Sequence, residues 1–130
     1  FDYKKSVNLF KDFKALFHLN KNKIINNDMF KYSKHLVSLT LKYSDEMDSF
    51  LSERSQNWDI SRIALIDKLI IRMSLSEMLY ESSVPLKVSI AEGIEISKSF
   101  STKDSCRFIN GILDSVYNDV VNGKIMFESK

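Results

Sequence analysis

Residues 60–80 read ISRIALIDKLIIRMSLSEMLY, the most apolar stretch of this 130-residue chain. On a helix, the apolar side chains of this stretch would cover most of the circumference. A helix that is apolar nearly all round lies at the centre of its fold. The charged residues Asp67, Lys68 and Arg72 interrupt the stretch, and each must reach a surface or a partner because buried unpaired charge is costly. The sequence therefore predicts a central helix over 60–80.

The segments before this helix show helical periodicity. A first helix is predicted over 2–19, because apolar residues recur there at spacings of three and four; they are Tyr3, Val7, Phe10, Phe13 and Phe17. A polar loop over 20–27 and a second helix over 28–43 follow. Ser44, with two acids after it, is predicted to cap a third helix that ends before Trp58.

The segments after the central helix predict two more helices and a tail. Val84 and Pro85 begin one of them, since proline suits the first helical position. Ser101 and Asp104 have the spacing of a capping box, and the last helix is predicted over 104–121. The tail from Gly123 is expected to fray. With only three glycines and one proline in the chain, long helices are favoured.

Together these segments predict an all-α fold, a compact helical bundle of five to seven helices forming a single domain over 1–130. Charge is uneven: residues 1–35 hold eight lysines and three acids, whereas the remainder is acidic. A basic N-terminal third is either a phosphate-binding footprint or a solvated lysine-rich face. The single cysteine, Cys106, suits a reducing compartment, and no apolar run spans a membrane, so a cytoplasmic protein is expected.

The sequence offers little for catalysis. His18, His35 and Cys106 show no metal-ligand spacing, and no phosphate-binding glycine loop is present, so we expect no enzyme activity, metal or cofactor. Glu92 and Glu95 share a helix face and are interpreted as solvated. Cys106 lies near two cations at a helix start, a setting typical of reactive thiols, but a boundary role is favoured.

The start of the last helix is the strongest candidate binding site. Hydroxyls and cations gather there beside free backbone amides, a combination that suits phosphate; the side chains are Lys98, Ser101, Lys103, Asp104, Ser105 and Arg107. Phe108 follows them. Its ring has two open interpretations, because it lies on the apolar stripe of a core residue yet could stack on an unpaired base.

A resemblance bears on these alternatives. Residues 85–100, PLKVSIAEGIEISKSF, and residues 107–114, RFINGILD, together with Trp58-Asp59 and Ile71-Arg72, resemble the NusB family of bacterial transcription antitermination factors. The resemblance is clear from Trp58 to Asp114 and weaker back to Phe30. It implies a NusB-type helical fold that binds boxA-type RNA in ribosomal RNA transcripts, paired with NusE, a ribosomal small-subunit protein, and linked indirectly to the RNA polymerase elongation complex.

The resemblance also implies roles for particular residues. Asp104, Ser105 and Phe108 match family positions at the RNA surface, with Phe108 as the stacking ring. Asp67 matches a family acid in the NusE contact, which would explain a charge on so apolar a helix.

One departure from the family stands at the N-terminus. Family members begin with an arginine-rich helix that contacts RNA, but here no arginine precedes Arg54. Either the native start is missing before Phe1, or lysines substitute, with Lys4 and Lys5 as candidates beside Lys11 and Lys14. Lysine attracts phosphate but lacks the planar fork of arginine.

Two alternatives to an RNA-binding antitermination factor stay open. One is the NusB-like domain of a ribosomal RNA methyltransferase, and the other is an interaction module without RNA binding.

Overall fold

The structure, a computed structural model, describes residues 27–56 and 59–125. Within these two ranges the chain forms five α-helices and a short 3₁₀-helix, with no strand among them. The helices are α1 (Asn27–Lys42), α2 (Ser44–Arg54), the 3₁₀-helix (Ile60–Arg62), α3 (Leu65–Tyr80), α4 (Leu86–Phe100) and α5 (Lys103–Val121). The all-α prediction is confirmed. The helix predicted over 2–19 and nearly all of the loop after it lie outside the described residues.

The central position predicted for the apolar stretch is confirmed. Helix α3 packs against α1, α2, α4 and α5. Most of its residues are buried, and apart from Asp67 the buried ones lie from Ile70 onward. The core combines one side of α2, the length of α3 and one side of α5; its members are Met47, Leu51, Ile70, Ile71, Leu75, Met78, Leu79, Ile109, Ile112, Leu113 and Val116.

Helix α4 approaches α3 through small side chains. Its buried residues are Ser89, Gly93 and Ser97, spaced four apart and therefore aligned on one face. A Cβ atom placed on Gly93 would lie 2.3 Å from the Ser74 Oγ atom of α3. Any larger residue at this crossing would require Ser74 or the helices to shift, so Gly93 allows the close approach of α3 and α4.

Helix α1 contacts the bundle with polar groups as well as apolar ones, and none of its residues is buried. The Tyr32 hydroxyl donates a hydrogen bond to Glu77, and His35 Nε2 lies 2.6 Å from a Glu81 carboxylate oxygen. Burial, followed by the neighbouring Glu77 carboxylate, raises the pKa of Tyr32. Hydrogen bonds thus place the α1 side of the bundle relative to α3.

Ser44 is not the N-cap of α2, so that prediction was wrong. Tyr43 occupies the N-cap position without a side-chain cap, and the Ser44 hydroxyl donates to the Leu41 carbonyl at 3.2 Å. The backbone explains this. The Tyr43 amide bonds to the Leu39 carbonyl, and the Met47 amide bonds to the Tyr43 carbonyl. Because backbone hydrogen bonds continue from α1 into α2, no backbone amide is left for a serine side chain to cap.

The helix predicted over 60–80 is interrupted, so its N-terminal boundary was wrong. The Asp59 carboxylate accepts hydrogen bonds from the Ser61 hydroxyl at 2.7 Å and the Ser61 amide at 3.0 Å. These bonds, the hydroxyl first, lower the pKa of Asp59. A side chain that bonds to the backbone two residues on favours a tight turn, and α3 begins only at Leu65.

The predicted capping box at Ser101 and Asp104 was displaced by one residue. Thr102 is the N-cap of α5, and its hydroxyl accepts the Ser105 amide at 3.1 Å. Ser101 instead ends α4, where its amide bonds to the Ser97 carbonyl at 2.8 Å. The start of α4 next to Pro85 agrees with the prediction to within a residue.

Gly123 closes α5 rather than beginning an irregular tail. Its φ of +74° is the left-handed conformation that glycine adopts most readily. Its amide bonds to the Val120 carbonyl at 3.1 Å. Residues 126–130, where the rest of the predicted frayed tail falls, lie outside the described residues.

Candidate nucleic-acid interface

The N-terminus of α5 is held by its own side chains. Thr102 accepts the Ser105 amide, and its hydroxyl also donates to Ser105 Oγ at 3.0 Å. Lys103 and Asp104 are exposed in this first turn, whereas Ser105 is half-buried. The positive end of the helix dipole thus faces solvent beside a lysine, an arrangement that favours an anion. Lys103, Asp104 and Ser105 therefore lie together, as the sequence predicted.

A groove runs from this turn along α5. It has a volume of about 540 Å³, within the range of small-ligand sites. Its described lining consists of Arg54, Asp104, Arg107, Phe108, Gly111, Ile112 and Ser115. The structure therefore brings together three of the predicted RNA-binding residues, Asp104, Arg107 and Phe108. The described lining does not include Lys98, Ser101, Lys103 or Ser105.

Phe108 partly satisfies both interpretations of its ring. It is half-buried and packs against the hydrophobic core, as a residue of the apolar stripe should. It also lines the groove. The ring is therefore fixed in orientation by the core while one part of it borders an open concavity.

Arg54 lies at the far side of the groove and is held by several contacts. Its Nε donates to Ser115 Oγ at 3.1 Å, and one terminal nitrogen pairs with the Asp119 carboxylate. Another donates to the Phe50 carbonyl at 3.2 Å. The guanidinium also lies 5.4 Å from the centroid of the Phe50 ring. Arg54 therefore joins the end of α2 to the side of α5 and fixes the groove wall.

Ser101 and Asp67, predicted to serve different partners, contact each other. The Ser101 hydroxyl donates to an Asp67 carboxylate oxygen at 2.5 Å. Asp67 is only 4% exposed. The charge on the apolar helix thus has a partner within the chain, so it does not by itself require another protein. This hydrogen bond ties the segment just before α5 to the first turn of α3.

Lys98 lies in the last turn of α4, where its amine is 3.0 Å from the Glu95 carboxylate and both side chains are exposed. An exposed pair of this kind is weak, so the lysine can exchange partners. Lys4 and Lys5, the other predicted phosphate contacts, lie outside the described residues. The described cations near the start of α5 are therefore Lys98, Lys103 and Arg107. The Asp104 carboxylate is an acidic group in the same region.

Of the groups considered for catalysis, His18 lies outside the described residues, and the others do not come together in a site. Glu92 and Glu95 are exposed, in agreement with the solvated interpretation. Cys106 is half-buried, and the Ser97 hydroxyl donates to its sulfur at 3.2 Å. Among the described residues, no three His, Cys, Asp or Glu side chains cluster as metal ligands would. None of the described helices is both long and apolar enough to cross a membrane.

Sequence reasoning missed four residues of the groove: Arg54, Gly111, Ile112 and Ser115. Gly111 had a visible signal, since it interrupts an otherwise helical pattern. Arg54 and Ser115 had none, because they are 61 positions apart and only the packing of α2 on α5 brings them together.

The fold and the groove define the class: an all-helical domain built around one buried helix, with a partly cationic groove along its last helix. Residues 3–118 match the sequence model of the NusB family. A transcription antitermination protein NusB from Chloroherpeton thalassium is 39% identical over 94 residues, which are 72% of this chain and 44% of that protein. The chain belongs to the NusB family.

Solved structures agree with this assignment. A NusB structure from T. maritima superposes with a TM-score of 0.67 and 26% identity, covering 72% of this chain and 66% of that one. A structure of antitermination factors NusB and NusE in complex with double-stranded RNA superposes with a TM-score of 0.65 and 22% identity, covering 73% of this chain and 70% of that one. The NusB-type bundle predicted from the sequence is confirmed. The chain spans between 44% and 64% of the length of three NusB relatives it matches.

Proposed function

We propose that this chain is a non-enzymatic, RNA-binding antitermination factor that binds boxA-type single-stranded RNA together with NusE and supports ribosomal RNA transcription. The contact with the RNA polymerase elongation complex is then indirect, and the protein acts in the cytoplasm. Membership of the NusB family supports this proposal, as does a similarly folded NusB studied with NusE and RNA. The single observation that carries it is the groove beside the start of α5.

The groove has the parts that an unpaired nucleotide needs. Arg107 and Lys103 supply positive charge for phosphate at the groove and its rim, and Phe108 supplies a ring edge or face for a base. Asp104 accepts hydrogen bonds from base amino or imino groups. Lys98, Ser105 and the N-terminal Lys4 and Lys5 extend the proposed surface. Ser101 acts indirectly, because its hydroxyl is engaged by Asp67.

We place NusE at the N-terminal part of α3. Leu65 is 68% exposed there, and Ile66 and Leu69 are each 39% exposed. Adjacent exposed apolar side chains are typical of protein interfaces. Asp67 belongs to this proposed contact, but its burial means that the neighbouring apolar residues supply most of the contact area.

The test is RNA binding by this chain across salt concentrations, with and without NusE. We expect the logarithm of the affinity to fall linearly with the logarithm of the salt concentration, by about 0.7 per phosphate contacted, and NusE to strengthen binding. Phe108→Leu, which keeps an apolar side chain against the core but removes the ring, should weaken binding while the protein stays folded.

Other results would point elsewhere. Capture of NusE with no contribution from RNA would indicate an interaction module, which the lack of any arginine before Arg54 favours. RNA binding that does not depend on salt would contradict the electrostatic part of the proposal. A catalytic methyltransferase region in the same gene would indicate the NusB-like domain of a ribosomal RNA methyltransferase.

A further inference from the structure

Gly111 lies in the interior of α5, where glycine is unfavourable. Apart from proline, glycine weakens a helix more than any other residue. Gly93 has a packing reason, because a Cβ there would meet Ser74. At Gly111, by contrast, no atom of the described residues outside the adjoining α5 backbone and the two chain neighbours lies within 4 Å of the position that a Cβ would take. Packing within the described part of the chain therefore gives no reason for this glycine.

Gly111 is one of the residues that line the groove. Phe108 precedes it by three residues and Ser115 follows it by four, so the three lie on one helix face. All three line the groove, and Gly111 is exposed. A glycine here leaves bare backbone on the floor, and bare backbone lets a ligand approach closely.

We propose that one unpaired nucleobase lies flat against the α5 backbone at Gly111, beside the Phe108 ring, and that Gly111 is present to leave room for it. This inference rests on the proposed function and assigns the base to one place. Arg107, one turn before Gly111 on the same face, is within the groove to receive the adjoining phosphate. Asp104, at the α5 start, accepts hydrogen bonds from the exposed edge of the base.

The charge at the groove favours a nucleotide over a protein segment. Arg107 and Lys103 are exposed beside the α5 N-terminus, where the helix dipole adds further positive potential. Arg54 does not compete for the phosphate, since its guanidinium is engaged by Asp119 and Ser115. A volume of about 540 Å³ accommodates a single nucleotide.

The experiment replaces Gly111 with alanine and with leucine, which have similar helix propensity but different size. Because the space is open, Gly111→Ala should raise Tm, by roughly 3–5 °C. It should nevertheless weaken binding of a boxA-type single-stranded RNA about ten-fold, the loss expected when base stacking is disturbed. Gly111→Leu should weaken it further. Asn118→Ala, an exposed change two turns along α5, is the control and should leave RNA affinity unchanged.

A second arm locates the base. Single abasic sites are introduced at successive positions of the same RNA, and each RNA is measured with the original chain and with Gly111→Ala. At one position the penalty of Gly111→Ala should disappear, because the base that it obstructs is gone. A penalty that persists at every abasic position would show that no base occupies the floor and would overturn the proposal.

The remaining outcomes are equally decisive. If the original chain binds RNA and Gly111→Ala binds it as well, the assignment of the base is overturned while the proposed function stands. If the original chain fails to bind RNA at all, both are overturned. Loss of NusE capture with unchanged RNA affinity would show that a protein occupies the groove. A lower Tm for Gly111→Ala would contradict the open space on which the inference depends.

Discussion

Two glycines inside helices of this protein have opposite surroundings. Gly93 faces Ser74 across the α3–α4 crossing, and Gly111 faces open space. A methyl group added at Gly93 must push the two helices apart or displace a buried serine. The same methyl group at Gly111 displaces no atom of the described residues.

We therefore predict that Gly93→Ala lowers the free energy of unfolding by about 1–3 kcal/mol, the usual cost of overpacking. Ser74→Ala in the same chain should recover part of this loss. It removes the Oγ atom 2.3 Å from the new methyl group and leaves the Ser74 Cβ at 3.3 Å. Denaturant unfolding of both variants measures the effect. Equal stability of Gly93→Ala and the original chain would show that the crossing is looser than described.

Glu81 confers a pH dependence on stability. Its carboxylate accepts the Ser83 hydroxyl at 2.6 Å and the Ser83 amide at 3.2 Å, and it pairs with His35. The Ser83 hydroxyl is the largest cause that lowers the pKa of Glu81 below its usual 4.5. A carboxyl whose pKa is lowered by folding stabilises the native state above its unfolded value. That contribution is lost as the pH falls through the folded value.

Ser83→Ala should therefore reduce the slope of the unfolding free energy against pH, roughly between pH 5 and 3. Near neutrality the variant should change this slope less. Denaturant unfolding at a series of pH values tests this. The neighbouring exposed Ser82 provides the control, because Ser82→Ala should leave the slope unchanged. Identical pH profiles for Ser83→Ala and the original chain would contradict the role of this hydroxyl.

At the scale of elements, the Ser101–Asp67 hydrogen bond joins α3 to the segment that begins α5. Ser101→Ala leaves a carboxylate buried without this donor, which should cost about 1–3 kcal/mol. Asp67→Asn keeps an acceptor but removes the charge. If the two residues stabilise the protein through their hydrogen bond, the double variant should lose less unfolding free energy than the two single variants lose together.

The same variants test whether α3 positions the end of α5 at which we propose that RNA binds. Ser101→Ala should weaken RNA binding although its hydroxyl is already engaged within the chain, because the first turn of α5 is no longer fixed. Thr102→Ser, which retains the N-cap hydroxyl, is the control and should bind as before. Strict additivity of the two single variants in stability would disprove coupling between Ser101 and Asp67.

The sequence predicted which segments are helices better than it predicted their ends and contacts. Periodicity predicted α1 and α5 to within a residue, because one side of each meets the interior. It did not predict the break before α3, since that depends on a local bond between Asp59 and Ser61. The Ser101–Asp67 and Arg54–Asp119 pairs could not be predicted from periodicity, which shows the inward face of a helix but not the helix that it meets.

At the scale of the whole molecule, the distribution of charge bears on RNA binding. Eight of the lysines lie within residues 1–35, far along the chain from the described groove. If these lysines bind phosphate, Lys4→Gln combined with Lys5→Gln should reduce the salt slope of RNA binding by about 0.7 for each phosphate that is no longer neutralised.

Base preference should stay the same in this double variant, because phosphate contacts carry no sequence information directly. Lys124→Gln, at an exposed lysine beyond α5, is the control for losing a lysine charge elsewhere on the protein. An unchanged slope in the Lys4 and Lys5 variant would restrict the electrostatic contacts to the other cations.

From Ile70 onward, helix α3 is covered by neighbours on nearly every side, and this has a practical consequence for following ligands. The backbone amides between Ile71 and Met78 can meet deuterated solvent only when the whole bundle opens, so their exchange rate reports global stability. Any molecule that binds only the native state slows that exchange according to its concentration and affinity. Hydrogen exchange in the buried helix therefore reports how much of the protein has a ligand bound. It does so whether the ligand is a nucleic acid, a protein or a molecule whose binding site has not been located.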